Sequence, residues 1–271
     1  MASIQRAPSP WLQPFVRTLW VSRDDRGSAS AREHVLPSGA FHLVFRLSGP
    51  ALRLFDGPED RAGRLVARAV VGGARSDYYV RDVSEPVCSV GAQLHPGAAP
   101  LLLGIPAGEL AERHTPLEDL WGRGVHEIAE RLAEAGSVGQ QLTLFESIFA
   151  ERLPRVRGIH PAVAEALAGF DTRMDVRSLV ARSGYSHRRF VALFREAVGL
   201  SPKRYARILR FQAALARVAR QPAPSWADLA LAAGYSDQSH FNRDFHEFAG
   251  VTPGQYRELA PPESHHVPVR G

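Results

Sequence analysis

Four side chains in the second half of the sequence have the chemistry needed to read base edges in double-stranded DNA. Arg188 and Arg243 carry planar sets of donors that match the O6 and N7 acceptors of guanine. Gln238 and Asn242 match the N6 and N7 atoms of adenine in the same way. An exposed arginine is also a common solvated surface charge, so the interpretation depends on the elements that carry these residues.

These residues belong to an internal near-repeat. The first copy contains Leu179, Gly184-Tyr185-Ser186, Phe190, Phe194, Gly199, Pro202 and Tyr205, and the second contains Leu229, Gly234-Tyr235-Ser236, Phe241, Phe245, Gly250, Pro253 and Tyr256. The two copies share one order, with one extra residue between Ser236 and Phe241. Two copies are too few for a solenoid, so the repeat predicts two similar units within one domain.

Each unit is predicted to be two short helices joined by a tight turn. In the first unit a helix over Val176–Ser183 ends at Gly184, because glycine adopts a positive φ at little cost. Ser186 is predicted to cap the next helix, whose apolar stripe places Phe190 and Phe194 in the core. This arrangement is typical of a helix-turn-helix, whose second helix enters the major groove.

Capping signals delimit the remaining helices. Ser225 and Asp228 have the spacing of a capping box, and Ser201-Pro202 and Thr252-Pro253 each place a cap before a proline at the first helical position. Residues 201–220 are predicted to form one helix of about 30 Å. That length is close to the ~34 Å between successive major-groove faces, so the connector suits two recognition helices on one side of a duplex.

The charge of the chain is concentrated around the first unit. The net charge is +5 overall, whereas residues 173–220 contain 12 basic and 2 acidic side chains. Such a local excess favours a polyanionic partner, and the alternative is a solvated helix face.

Residues 160–259 resemble the DNA-binding domain of the AraC/XylS family of bacterial transcription regulators. The residues that carry the resemblance are Gly184-Tyr185-Ser186, Phe190, Phe194, Gly199, Ser201-Pro202, Tyr205 and Arg210 in the first unit, and Gly234-Tyr235-Ser236-Asp237-Gln238-Ser239-His240-Phe241, Arg243, Phe245, Gly250, Thr252-Pro253 and Tyr256-Arg257 in the second. The resemblance implies a double helix-turn-helix. Val180 departs from the family, which usually has alanine there, and Val191 and Ala192 occupy slots that are often polar.

Roles in DNA binding follow from side-chain chemistry. The predicted base contacts are Arg188, Val191, Ala192, Arg195, Gln238, Ser239, Asn242 and Arg243, and the predicted phosphate contacts are Ser186, Lys203, Ser236 and His246. Val191 and Ala192 would touch thymine methyl groups, and Arg195 also suits a phosphate.

The first half is predicted to be mostly strand. Short apolar runs are separated by turn signals such as Pro37-Ser38-Gly39 and Gly72-Gly73, which is typical of a barrel or sandwich. Helical periodicity then appears over Val125–Ala135 and Val138–Leu153.

Residues 10–153 are similar to an uncharacterised cupin-like sensor domain. Pro37-x-Gly39 with Leu43-Val44-Phe45, Gly91-x3-His95-Pro96-Gly97 and 116–122 carry the similarity. The similarity implies a small barrel with helices that binds a ligand, dimerises, or both. Trp20, Phe41 and Phe45 are candidates for a ligand pocket, and the alternative is plain barrel core.

Other kinds of site are disfavoured. Cys88 is the sole cysteine, so a disulfide within the chain and a multi-cysteine metal site are excluded. His34, His42 and His95 are scattered, so no metal and no cofactor are expected. Residues 1–11 lack the apolar core of a signal peptide, and a soluble cytoplasmic protein is expected.

The sequence therefore predicts an α+β protein with four parts. They are a β-barrel-like, cupin-like sensor or dimerisation domain (1–153), a linker (154–160), an all-α double helix-turn-helix domain with a long central helix (161–260), and a disordered tail (261–271). The predicted function is a sequence-specific regulator of transcription, not an enzyme. Its expected partners are double-stranded DNA, a small-molecule effector, a second copy of the chain and, if it activates, RNA polymerase, with no membrane. The alternatives are a cupin-type enzyme or metal-binding protein with a DNA-targeting domain, and an architectural DNA binder.

Overall fold

The computed structural model describes residues 2–24, 31–57, 59–153, 158–172, 174–220, 225–261 and 263–269. The chain is α+β as predicted, with most strands in the first half and mostly helices in the second. Residues 154–157 of the predicted linker lie outside the described residues, and 158–160 have no regular structure. Within the described ranges, no helix is both long enough and apolar enough to cross a membrane.

The strands are antiparallel and form two sheets. Their bounds are β1 (Ala2–Arg6), β2 (Val16–Asp24), β3 (Arg32–Val35), β4 (His42–Arg46), β5 (Arg53–Phe55), β6 (Arg64–Leu65), β7 (Ala69–Gly72), β8 (Tyr79–Asp82), β9 (Val87–Leu94), β10 (His114–Pro116) and β11 (His266–Pro268). One sheet has the order β1-β2-β9-β4-β7-β10 and the other β11-β3-β8-β5-β6. The barrel-like domain is thus a pair of open sheets, and no closed barrel is found among the described strands.

The longer helices follow the predicted periodicity, whereas three short helices before residue 122 were not predicted. Their bounds are α1 (Ala99–Leu103), α2 (Ala107–Leu110), α3 (Glu118–Trp121), α4 (Gly124–Glu134), α5 (Val138–Arg152), α6 (Pro161–Asp171), α7 (Val176–Ser183), α8 (His187–Val198), α9 (Pro202–Arg220), α10 (Trp226–Ala232), α11 (Gln238–Ala249) and α12 (Pro253–Leu259). Helices α4 and α5 confirm the two predicted helices of the first half to within one residue at each end. Helix α9 confirms the predicted long connector.

The six-stranded sheet has two different faces, because side chains alternate along each strand. In β4, Leu43 and Phe45 are buried on the face covered by α5, where the rings of Phe45 and Phe145 lie 5.8 Å apart. His42, Val44 and Arg46 alternate with them and face a cavity between the two sheets. The sheet therefore has an apolar core on one side and a mixed polar surface on the other.

The two halves of the chain share one continuous core. The backbone at Gly39 approaches Tyr205 of α9 so closely that a Cβ atom there would lie 3.3 Å from the ring. Polar contacts cross the same junction: Arg204 pairs with Asp77 at 2.6 Å, and Gln212 Nε2 donates to the carbonyl oxygen of Pro37 at 2.6 Å. The DNA-binding half is therefore packed against the strand-rich half.

The end of the chain differs from the predicted disorder. Residues 266–268 form β11, which pairs with β3, and Val267 is fully buried. Tyr256 of α12 donates to the carbonyl oxygen of Ser264 at 2.8 Å. The prediction is wrong for this segment because its polar composition does not reveal long-range strand pairing. Residues 262, 270 and 271 of the predicted tail lie outside the described residues.

Candidate nucleic-acid interface

The first helix-turn-helix unit is built as the sequence predicts. Gly184 ends α7 with a φ of 71°, and the Ser186 hydroxyl caps α8 by accepting from the Arg189 backbone N–H at 3.4 Å. Phe190 and Phe194 are fully buried, which confirms their place in the core. These anchors hold one face of α8 inside the domain and turn the opposite face outward.

The outward face of α8 carries the predicted contacts of the first unit. Arg188, Ala192 and Arg195 are exposed, and Val191 is half-buried beside them. Within the described part of the chain, no carboxylate lies within ion-pair distance of either arginine. Helix α2 packs against α8, and a Cβ atom on Gly108 would lie 3.4 Å from the carbonyl oxygen of Arg195. The last turn of α8 thus adjoins the strand-rich half.

The second unit follows the same plan with one local difference. Ser225 caps α10 by accepting from the Asp228 backbone N–H at 3.4 Å. The return bond that would complete the predicted capping box is not found among the described contacts. At α11 the cap is Asp237, which accepts from the His240 backbone N–H at 2.8 Å. The extra residue after Ser236 explains this shift of one position relative to the first unit.

The outward face of α11 carries the remaining predicted side chains of the second unit. They are all exposed: Gln238, Ser239, Asn242, Arg243 and His246. Phe241 and Phe245 are fully buried on the opposite face. The same helix therefore presents a polar surface of amide, hydroxyl and guanidinium groups and anchors it through aromatic rings.

An ion network that was not predicted from the sequence fixes α11 on α9. Asp244 is buried and accepts from Arg207 Nη2 at 2.7 Å, while Arg207 also reaches Glu247 at 2.6 Å. Arg204 joins Glu247 to Asp77 of the first half. Although burial alone would lower the pKa of Arg207, its bonds to Asp244 and Glu247 raise it. An acid–base pair 37 positions apart leaves no local signal in the sequence.

The predicted phosphate contacts lie at the ends of helices. Ser186 and Ser236 are exposed beside the starts of α8 and α11, and Lys203 is exposed in the first turn of α9. Ser236 also donates to Asp237 Oδ2 at 2.9 Å. His246 is exposed in the last turn of α11. Helix starts are favourable for phosphate groups, because their backbone N–H groups point outward.

The three residues predicted to line a ligand pocket lie in different parts of the structure. Trp20 lines the cavity between the sheets, whereas Phe41 and Phe45 are not among its lining residues. Phe45 is fully buried on the other face of β4, and Phe41 lies against Gly199 of the helical half. Strand alternation alone does not say which face meets a cavity, so the sequence could not separate these rings.

The three histidines considered as metal ligands, His34, His42 and His95, lie at separate places in the structure. His34 stacks on Tyr78 with ring centroids 4.3 Å apart, and its Nδ1 donates to the carbonyl oxygen of Ala249 at 2.9 Å. His42 faces the cavity, and His95 follows β9. Among the described residues, no group of three or more histidine, cysteine or acidic side chains is arranged to hold a metal ion.

Comparison with known families finds two matches. Residues 179–259 match the family described as a helix-turn-helix domain, and residues 4–116 match a domain of unknown function (DUF6597). The HTH-type transcriptional regulator MtrA of Neisseria gonorrhoeae is 30% identical over 84 residues, which cover 31% of this chain and 28% of that protein. The chain thus matches less than a third of the length of its curated relatives.

Solved structures resemble the chain at low sequence identity. ToxT from Vibrio cholerae aligns over 95% of this chain and 98% of its own, with 11% identity and a TM-score of 0.48. A transcriptional regulator with an AraC-type DNA-binding domain from Chromobacterium violaceum aligns over 38% of this chain and 94% of its own, with 24% identity and a TM-score of 0.34.

Proposed function

We propose that this chain is a sequence-specific regulator of transcription and that its C-terminal helix-turn-helix domain makes it a member of the AraC family. The match of residues 179–259 to a helix-turn-helix domain and the similarity to an HTH-type transcriptional regulator support this proposal. Helices α8 and α11 are its two recognition helices, and each enters the major groove of one DNA duplex. The observation that carries the proposal is the pair of anchored helices, each with an exposed face that carries side chains able to contact bases. An architectural binder that reads only charge and shape has no need of the varied face on α11.

The connector helix supports recognition of two successive grooves. Helix α9 has 19 residues, which corresponds to about 28 Å at ~1.5 Å per residue. Successive major-groove faces are ~34 Å apart, so both recognition helices fit the same side of one duplex. The expected binding site is therefore bipartite, with its two centres about one helical turn apart.

Base reading is assigned to the exposed faces of the two helices. Arg188 and Arg243 bridge guanine, and Gln238 and Asn242 pair with adenine. Ser239 and Arg195 supply further contacts from the same faces, and Val191 and Ala192 meet thymine methyl groups.

Backbone contacts are assigned to the helix ends. Ser186, Ser236, Lys203 and His246 hold phosphates, which position the protein without reading sequence. Phosphate contacts release counterions, so affinity falls with salt in proportion to their number.

The strand-rich half is assigned the regulatory role. It binds a small-molecule effector or joins two copies of the chain, and RNA polymerase is a further partner where the protein activates a promoter. The protein acts in the bacterial cytoplasm and on the nucleoid, without a cofactor and without catalysing a reaction. The domain limits proposed are 1–153 for this half and 161–260 for the DNA-binding half.

The test is selection from a random double-stranded DNA library by the full chain. Two variants separate the assigned roles: Arg243→Ala removes a base contact, and Lys203→Ala removes a phosphate contact. The proposal expects R243A to lose preference at one base pair, and K203A to keep the motif at lower affinity with a salt slope smaller by about one. No enriched motif with the unmodified chain would overturn the proposal.

A further inference from the structure

We propose that the cavity between the two sheets binds an amphipathic organic anion, and that the C-terminal tail forms one of its walls. The tail is defined as the described residues 263–269. The cavity has a volume of about 560 Å³, which is in the range of small-molecule sites. Both sheets line it, together with Glu263, Ser264, His265 and His266 of the tail. The binding site itself is argued from the cavity. Only its effect on the regulation of transcription rests on the proposed function.

The anion would bind at Arg46. This side chain is only 8% exposed and lies on the cavity face of β4. Its Nη1 donates to the carbonyl oxygen of Pro50 at 2.9 Å, and no carboxylate of the described chain lies within ion-pair distance. A guanidinium has five donor N–H groups, and a buried charge is costly unless it is paired. Burial and the nearby charge of Arg81 lower the pKa of Arg46 to about 10, although the charge of Asp82 acts the other way. A bound anion would further offset the lowering by favouring the charged guanidinium.

Among the described residues that line the cavity, Arg46 is a buried charge without an ion pair, although the charge of Asp82 offsets part of the cost. Arg81 is matched by Glu33, whose carboxylate lies 2.5 Å away. Four further acidic side chains line the cavity, but they are exposed or half-buried: Asp24, Asp82, Glu85 and Glu263. Water therefore screens those carboxylates far more than it screens Arg46.

The middle of the cavity is apolar. Val44 and Val70 are paired in neighbouring strands and face the same side. Trp20 packs on the backbone of Gly91, where a Cβ atom would lie 2.1 Å from the indole Cζ2. Glycine at this position is what lets the indole lie against β9. This surface would take the apolar body of the ligand.

The far end of the cavity offers neutral hydrogen-bonding groups. His42 lies four residues before Arg46 on the same face of β4, which corresponds to about 13 Å. His114 lies beyond Gly72, and its Nδ1 is buried with no partner in the described structure. Burial lowers the pKa of His42 to about 4 and that of His114 to about 3, so both rings are neutral at pH 7. A ligand about 10 Å long would thus join an acidic group to an apolar body and a polar far end.

The tail connects this cavity to the DNA-binding half. The His265 ring nitrogen Nε2 lies 2.5 Å from Gln212 Oε1 of α9, and the backbone N–H of Leu36 donates to the His265 carbonyl oxygen at 2.9 Å. His266 Nδ1 lies 2.6 Å from Glu33 of β3. A ligand that contacts the tail stabilises its pairing with β3. By linkage, occupancy of the cavity and docking of the helical half then affect each other equally.

Two matched dyes test the charge preference. The anionic probe is 1-anilinonaphthalene-8-sulfonate, and N-phenyl-1-naphthylamine is the same fluorophore without the sulfonate. We expect one sulfonate probe to bind per full-length chain. Arg46→Gln should lower the affinity for the sulfonate probe at least tenfold and change the affinity for the neutral dye less than twofold. The control is Arg68→Gln, an exposed arginine that also donates to a backbone carbonyl oxygen but does not line the cavity. Equal effects of R46Q and R68Q, or equal loss of both dyes, would overturn the anion site.

Two further variants test the tail as a wall. A chain that ends at residue 261 removes the tail, and Val267→Asp keeps it but opposes its burial. Both variants should lower the affinity for the sulfonate probe at least fivefold, while circular dichroism shows that the protein is folded. Unchanged affinity in either folded variant would remove the tail from the site. DNA binding is measured separately for every variant, because R46Q leaves the proposed DNA contacts intact. If the dye affinities do not change as expected while sequence-specific DNA binding persists, this inference is rejected and the proposed function is not.

Discussion

Replacing Asp244 by alanine tests how the second recognition helix is held in place. The side chain of Asp244 is 3% exposed, and its two oxygens accept from Arg207 Nη2 at 2.7 Å and from Arg207 Nε at 3.4 Å. The variant removes a short charge-assisted hydrogen bond, and bonds of that kind contribute about 1.5–3 kcal/mol. The longer contact adds little, because interactions weaken with distance.

Arg207 limits the size of the loss. When one partner of a buried pair is removed, the cost is about 3–5 kcal/mol if the other charge is left unpaired. The Arg207 side chain is 20% exposed and keeps Glu247 at 2.6 Å, so its charge stays paired and partly solvated. We therefore expect Asp244→Ala to lower the free energy of unfolding by about 2 kcal/mol, from the lower half of the hydrogen-bond range.

The assay is urea denaturation followed by far-ultraviolet circular dichroism. Glu258→Ala is the control, because Glu258 is an exposed acid on α12, and its effect should stay within about 0.5 kcal/mol. A double-mutant cycle with Arg207→Ala should give a coupling free energy of at least about 1 kcal/mol. Coupling below about 0.5 kcal/mol would refute the view that this pair fixes α11 on α9.

Three further predictions concern recognition, acid stability and packing. Arg243→Ala should cost about 1–3 kcal/mol in binding to the selected DNA site, measured by fluorescence anisotropy, and an unchanged base preference would contradict its role. Burial holds the pKa of His42 near 4 in the folded chain, against 6.5 when exposed. The unfolded chain therefore takes up a proton first, and stability present above pH 6.5 is lost as the pH falls toward 4. His42→Gln should flatten that loss in urea melts at stepped pH, and an identical profile would contradict the assignment. Gly91→Ala should destabilise by about 1–3 kcal/mol because its Cβ meets the Trp20 indole. Gly57→Ala, which meets nothing within 4 Å, is the control, and equal melting temperatures would argue against this packing.

The parts of the fold that depend on local signals could be predicted from the sequence. Gly184 has a positive φ, and Ser186 and Thr252 cap the helices that follow them. Because these residue types mark helix ends, the short helices of both units could be predicted. The buried stripe of phenylalanines followed from helical period. Even the single difference at α11, where Asp237 is the cap, has a visible source in the extra residue of the second copy.

Features that depend on long-range packing were not visible. Nothing local marks residues 266–268 as a strand, because their partner β3 lies more than 200 positions away. Alternation in β4 places Phe45 and Arg46 on opposite faces, but it does not show which face meets the cavity, so the cavity could not be assigned to the side of Arg46. The same holds for Asp244, whose partner lies on another helix.

Hydroxyl-radical footprinting of the full chain on its best selected DNA site shows whether both recognition helices bind one duplex. We expect two protected patches on one face of the duplex, with centres about 10 base pairs apart, because α8 and α11 enter successive major-groove faces. Arg243→Ala should weaken the patch read by α11 and leave the other patch intact. One undivided patch, or protection that does not depend on the DNA sequence, would contradict the claim.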